Sequence, residues 1–226
     1  MEKNILVSEK VVLNKVKLNY YGNGLFVPSA YDDTSDKKEY SCYVYLDKDN
    51  DQHMKYKDQI MKIINDFCKK NGVDSISDAA KFIVDGDKEI LKINAKAKRE
   101  NKPAPNTDLL KNSYRLKLKN KEMPRFISPS RELVNDPILL EKLFYKGCYI
   151  HVIFRINEYN FKGNGLTTAL DTICFAAKGD KIEFYKSVHE HLEDEANFVI
   201  ELDDFEIDEI TASKQNENVV IENKLF

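Results

Sequence analysis

Residues 144–166, FYKGCYIHVIFRINEYNFKGNGL, decide the fold. Counted in twos, Cys148, Ile150, Val152, Phe154 and Ile156 share one face, the period of a β-strand with one side in a core. The opposite face carries Tyr149, His151, Ile153, Arg155, Asn157, Tyr159 and Phe161. A solvated face would show Lys, Glu, Thr and Ser; this one shows rings and a guanidinium. The strand runs into Gly163-Asn164-Gly165, a turn signal, and residues 166–176 (LTTALDTICFA) return as its partner.

Other stretches alternate in the same way. Residues 11–20 (VVLNKVKLNY) read as a strand ended by Gly22-Asn23-Gly24. Residues 40–46 (YSCYVYL) place Cys42, Val44 and Leu46 on one side and Tyr43 and Tyr45 on the other. In residues 114–119 (YRLKLK), Tyr114, Leu116 and Leu118 point inward while Arg115, Lys117 and Lys119 point outward, and residues 123–128 are a shorter strand candidate. Between the early and later strands, Tyr56, Ile60, Ile63, Ile64 and Phe67 recur at helical spacing, predicting a helix over about 52–70 that stops at Asn71-Gly72. A shorter helix is expected over 77–83, and another over 187–195. Asp85-Gly86-Asp87 reads as a turn and residues 100–108 (ENKPAPNTD) as a loop. Short strands, many turns and a single intervening helix make the chain mainly β with helical elaborations, which suits a small Greek-key barrel. The expected organisation is one domain over 1–186 and an acidic C-terminal segment over 187–226.

The charge distribution is uneven. The chain of 226 residues has a net charge of −3, but residues 187–226 hold 12 acidic and 2 basic residues, a net of −10. The rest is therefore +7, and within it residues 88–131 hold 13 basic against 4 acidic side chains. A basic body with an acidic end suits a polyanion partner, although a lysine-rich surface is also an ordinary solvated one. No apolar run approaches a membrane span, and the N-terminus MEKNILVSEK lacks a signal-peptide core, so the expected location is the cytoplasm, with no membrane partner. Cys42, Cys68, Cys148 and Cys174 are spread out with no Cys-x-x-Cys, which points to reduced thiols and no zinc site.

Catalytic signatures are missing. The two Gly-Asn-Gly stretches lack the spacing and lysine of a phosphate-binding loop and read as turns. His189-x-His191 with Glu193 and Asp194 has metal-ligating residue types, but in a strongly acidic stretch it reads as a solvated helix face. No catalytic residue, cofactor or metal is expected. The combination across strands is more telling. Tyr43, Tyr45, Arg115, Lys117, Lys119, Tyr149, Arg155 and Tyr159 pair cations with rings, and proteins holding single-stranded nucleic acid do the same. Cations track phosphates, and rings stack on any base at roughly 1–3 kcal/mol each. Exposed tyrosines also stabilise cross-strand pairs and oligomer contacts, so a protein-interaction or oligomerisation module on the same barrel stays open.

The stretches FYKGCY and YNFKGNGLTTALD resemble a signature of phage single-stranded-DNA-binding proteins with an OB fold. LFVP (residues 25–28) and KEYSCYVYLDK (residues 38–48) are similar to that family's Leu-Phe-x-Pro loop and the strand after it. The likeness extends loosely over residues 11–181, and residues 144–171 are its specific part. It implies a non-catalytic OB barrel that binds single-stranded DNA with little sequence preference in phage replication or recombination, within the host bacterium. Tyr145, Gly147, Cys148 and Tyr149 match the strand motif, and Gly163 and Asn164 match the turn. Asp171 departs from the pattern, standing where an amide is expected, and Thr167-Thr168 replace smaller residues. The acidic segment is a candidate contact for phage replication or recombination proteins, and homo-oligomerisation is left open.

Overall fold

The strand from Tyr149 to Tyr159 forms because its two faces have different work. Cys148, Ile150, Val152, Phe154 and Ile156 are 0–1% exposed, so every second side chain enters the core. The computed structural model describes residues 8–22, 24–30, 38–74, 76–159 and 164–182. Among these, the strands are β1 (Ser8–Asn19), β2 (Ser29–Ala30), β3 (Lys38–Asp47), β4 (Ile83–Asp85), β5 (Ser113–Asn120), β6 (Arg125–Ile127), β7 (Tyr149–Tyr159) and β8 (Gly165–Ala177). The helices are α1 (Asp51–Asn71), α2 (Ile76–Ala79), α3 (Gly86–Arg99) and α4 (Pro137–Leu143). The expected division at 186/187, the helix over 187–195 and the His189-x-His191 pair fall outside the described residues.

The strands make one sheet in the order β4-β5-β3-β1-β7-β8-β6, with β2 beside β3. All its pairings are antiparallel except β6 with β8. The central run β5-β3-β1-β7-β8 curls until its outer members meet. The Thr168 hydroxyl donates to the Lys117 carbonyl at 3.1 Å, and the Asn120 amide donates to the Leu170 carbonyl at 2.6 Å. Between β5 and β8 the ladder stays open and side chains bridge the seam. This is a five-stranded, partly open barrel of OB type. The departures Thr168 and Asp171 have structural work here: Thr168 spans the seam, and Asp171 pairs with Arg125 at 2.8 Å across β8 and β6.

The interior is filled by Val11, Leu13, Val16 and Leu18 of β1, Cys42, Val44 and Leu46 of β3, Leu116 and Leu118 of β5, and the inward residues of β7 and β8. Burial pushes the thiols of Cys42 and Cys148 up to about 12, so they stay protonated fillers. Helix α1 buries Tyr56, Ile60, Ile64 and Phe67 against this core. It starts at Asn50, whose side chain accepts from the Gln52 and His53 amides, and stops at Gly72, whose φ of 62° suits a residue without Cβ. Phe26, Phe126, Phe144 and Phe175 form a chain of ring contacts at 5.1–6.3 Å.

Two expectations need correction. Asp85-Gly86-Asp87 is the capped start of a 14-residue helix and not an isolated turn, because the Asp85 carboxylate accepts from the Asp87 and Lys88 amides. α1 is therefore not the single intervening helix. The helix expected over 77–83 is the four-residue α2 at Ile76–Ala79, after which residues 83–85 become β4.

Candidate nucleic-acid interface

The outer face of the sheet is organised by an irregularity in β1. Its pairing with β7 shifts between Leu13 and Val16, and Lys15 takes a φ of 54°. That extra residue reverses the alternation: Leu13 and Val16 both point inward, and Lys17 turns outward. His53 sits against the bulge. Its Nδ1 accepts from the Asp47 amide at 3.0 Å, and the Lys15 backbone lies beside the ring. Burial lowers the His53 pKa, consistent with a neutral ring whose Nδ1 is free to accept.

Register then sets residues from four strands side by side. Arg115 of β5 pairs with Tyr45 of β3, Tyr45 with Lys17 of β1, and Lys17 with Tyr149 of β7. A second row runs from Lys117 through Tyr43 to Asn19. Residues directly opposite on antiparallel strands share a face, so the two rows make one surface of alternating cations and rings. The Arg115 guanidinium lies 5.3 Å from the Tyr43 ring centroid, Lys117 Nζ 6.0 Å from the same ring, and Lys17 Nζ 5.8 Å from Tyr149. The Tyr21 ring meets Tyr43 edge-on at 5.2 Å. Burial raises the Tyr43 pKa, and its neighbour Tyr21 adds to that against Arg115, so the ring is a neutral phenol at physiological pH.

Along one side, the face opens into a groove of about 670 Å³. Lys15, Lys17, Lys111 and Lys178 line it with Tyr45 and Tyr149, and so do Asp47, Asp49 and Asp108. The acids are engaged: Asp108 holds Lys111 at 2.6 Å, Asp49 accepts from Asn112, and Asp47 from the Asp49 amide. The mouth is fixed from below by Gly147. Its φ of 103° and its contact with the Asp180 carbonyl leave no room for a Cβ, and Ile182 donates to the Lys146 carbonyl. Tyr145 braces the same segment, exchanging hydrogen bonds with Gly179 through its hydroxyl. The Tyr149 ring in turn lies against Gly179.

Of the residues expected at the interface, Tyr43, Tyr45, Arg115, Lys117 and Tyr149 come together here. Tyr45 is only 9% exposed, and its hydroxyl accepts from Asn19 at 3.2 Å. Lys119 continues the same face, two residues beyond Lys117 and opposite Ser41, but pairs with Glu39 at 2.9 Å. Two others lie apart. The Tyr159 ring packs on Gly165 of β8. Arg155 is exposed beside Lys10, six residues along β7 from Tyr149, on the order of 20 Å away. Sequence reading passed over Lys17, Lys15, Lys111, Lys178 and Tyr21. The bulge hides Lys17, and loop positions hide the others; only the aromatic pair Tyr20-Tyr21 before Gly22 was a visible signal.

The sequence profile of the family described as Enterobacter phage Enc34, ssDNA-binding protein, matches residues 9–198. The chain belongs to this family. It is a family of phage binding proteins and not of enzymes. No curated protein matches the chain. Among solved structures, the single-stranded DNA-binding protein from bacteriophage Enc34 in complex with ssDNA matches at a TM-score of 0.58 and 19% identity, over 77% of this chain and 89% of that one. The same protein with a C-terminal truncation gives 0.59 and 18% over 76% and 88%. A third structure of it gives 0.58 and 16% over 81% and 89%. At these identities the likeness is one of fold. Among the described residues, no helix is long and apolar enough to cross a membrane, and no cluster of His, Cys, Asp and Glu could hold a metal ion.

Proposed function

We propose that the face of β5, β3, β1 and β7 binds single-stranded DNA with little sequence preference, in phage replication or recombination within the host cytoplasm. The observation that carries this reading is the cross-strand row Arg115–Tyr45–Lys17–Tyr149, flanked by Lys117 and Tyr43. Tyr43 and Tyr149 offer ring surface to bases, while Lys17, Arg115 and Lys117 hold phosphates. Tyr45, tied to Asn19, sets the spacing of the row beneath them. β3 and β5 are the second and third strands of the five-stranded barrel, the face on which OB folds hold oligonucleotides. Membership of the family supports this assignment, as does the Enc34 protein's structure in complex with ssDNA. Residues 187–226, outside the described part, are the proposed contact for phage replication or recombination proteins.

The test is a fluorescence titration of single-stranded DNA, RNA and duplex at several salt concentrations, on the wild type and on Tyr43→Ala and Tyr149→Ala. Each substitution is expected to weaken single-strand binding about 5- to 150-fold, the equivalent of roughly 1–3 kcal/mol for each stack removed, with the melting temperature little changed. Equal affinity for duplex, or full affinity in both variants, overturns the reading.

A further inference from the structure

The cationic surface does not end at β5. Helix α3 follows β4 on the far side of β5, and its N-terminus is locked to the groove wall: Gly86 packs against the carbonyl oxygens of Leu110 and Ser113, leaving no room for a Cβ. Asp85 and Asp87 both bind Lys48, at 3.0 and 2.6 Å, which fixes the helix start to the end of β3. Glu89, one turn in, lies 3.8 Å from Arg115, the guanidinium that sits over Tyr43. The site-facing edge of α3 is thus continuous with the ring-and-cation rows.

Beyond Glu89 the helix is basic. It buries Ala97 and half-buries Ile90 and Ile93, which share its inner side. At 100° per residue, Lys88, Lys92 and Arg99 then share the outer side, with Lys96 between them and Glu89. Lys92 and Lys96 are 77% and 68% exposed in their side chains, and Leu91 is 70% exposed. The acids of this region neutralise the stripe only in part. Asp87 is held by Lys48, Glu89 is shared between Arg115 and Lys92, and Glu100 between Lys96 and Lys102. Lys88, Lys98 and Arg99 have no acidic partner among the described residues. A solvated helix face normally interleaves both signs as i,i+4 pairs; this one carries an unbalanced positive row about 16 Å long.

We propose that α3 is a second phosphate-tracking surface, which takes up single-stranded DNA where it leaves the sheet face past Arg115. It supplies cations without rings, so it holds the backbone and leaves the bases in water. This rests on the sheet face being the primary DNA site, and the consequence is length dependence. An oligonucleotide that covers only the rows is indifferent to α3, whereas a longer one gains from it.

The experiment compares wild type with the triple variant Lys88→Gln, Lys92→Gln, Arg99→Gln on oligo(dT) of about 8 and about 24 nucleotides, one within and one beyond the roughly 4–16 nucleotides of a single OB site. All three side chains are exposed, and circular dichroism of the variant checks the fold. The expected result is unchanged affinity for the short oligomer and a several-fold loss for the long one. The salt slope on the long one should become shallower by about 2, at roughly 0.7 for each phosphate that the variant no longer neutralises. Equal losses at both lengths would mean a diffuse field and overturn the proposal, as would no loss on the long oligomer. If wild type binds neither length, the sheet-face reading fails instead, so the two failures are distinguishable.

Discussion

Individual residues on the outer face divide by what holds them. Tyr43 and Tyr45 are two apart on one strand and read alike in sequence, yet one ring remains half-exposed beneath Arg115 while the other is buried with its hydroxyl tied to Asn19. Alternation predicts the side of a sheet, not the depth. His53 lines the groove beside the Lys15 bulge and ties the start of α1 to the end of β3 through the Asp47 amide. Its pKa is lowered in the fold by burial. The unfolded chain therefore binds the proton more readily, and stability falls as pH drops through the ordinary imidazole value near 6.5. Above that value the contribution is fully present. Thermal unfolding of wild type and His53→Gln at pH 7.5 and 5.5 measures it: the advantage of wild type should shrink at the lower pH. An advantage that stays constant between those two values would show that His53 is not held neutral.

Elements show where sequence patterning is strong and where it fails. β3, β5 and β7 were legible because strict alternation meets one-sided burial, and α1 because its apolar residues keep helical spacing up to a glycine cap. α3 was not legible, since a helix that buries only Gly86 and Ala97 leaves hardly any apolar stripe, and Asp-Gly-Asp imitates a turn. α4 is seven residues long, with Ile138 and Leu139 exposed, so its periodicity is too short to register. Within β1, counting in twos from Val11 would put Lys17 in the core; the bulge at Lys15 moves it to the interface. The rows themselves depend on register between strands distant in sequence, which a single strand's pattern does not contain. The seam of the barrel is likewise a long-range feature, made by one hydroxyl and one amide. Replacing Thr168 by Val keeps the shape and removes the hydrogen bond to the Lys117 carbonyl, so stability should drop by about 1 kcal/mol in urea unfolding. Because Lys117 stands in the binding row, single-strand affinity should fall with it. Unchanged unfolding midpoints in Thr168→Val would mean that the Asn120 amide and the apolar core hold β5 against β8 without this hydroxyl.

For the whole molecule, the governing quantity is the charge each part presents to a polyanion. Residues 1–182 carry 32 basic and 25 acidic side chains, a net of +7, while the entire chain is at −3. Lys15, Lys17, Lys111, Lys178, Arg115 and Lys117 concentrate positive charge around one face. If each meets a phosphate, the salt slope on single strands is about −4. The last 44 residues contribute the opposite sign, and their field reaches the groove only within a Debye length, about 8 Å at physiological ionic strength and about 30 Å at 0.01 M. Cutting the chain after Ile182 removes that charge and leaves the hydrogen bonds of the barrel in place, including the one from Ile182 to Lys146. Affinity for single strands should therefore rise on truncation, most strongly at low salt, and the two forms should converge as salt increases. Titrations of full-length and truncated protein across a salt series measure the difference directly. A gap that persists undiminished at high salt would point to an interaction that salt does not screen, and no gap at low salt would mean the acidic residues stay too far from the groove to oppose DNA.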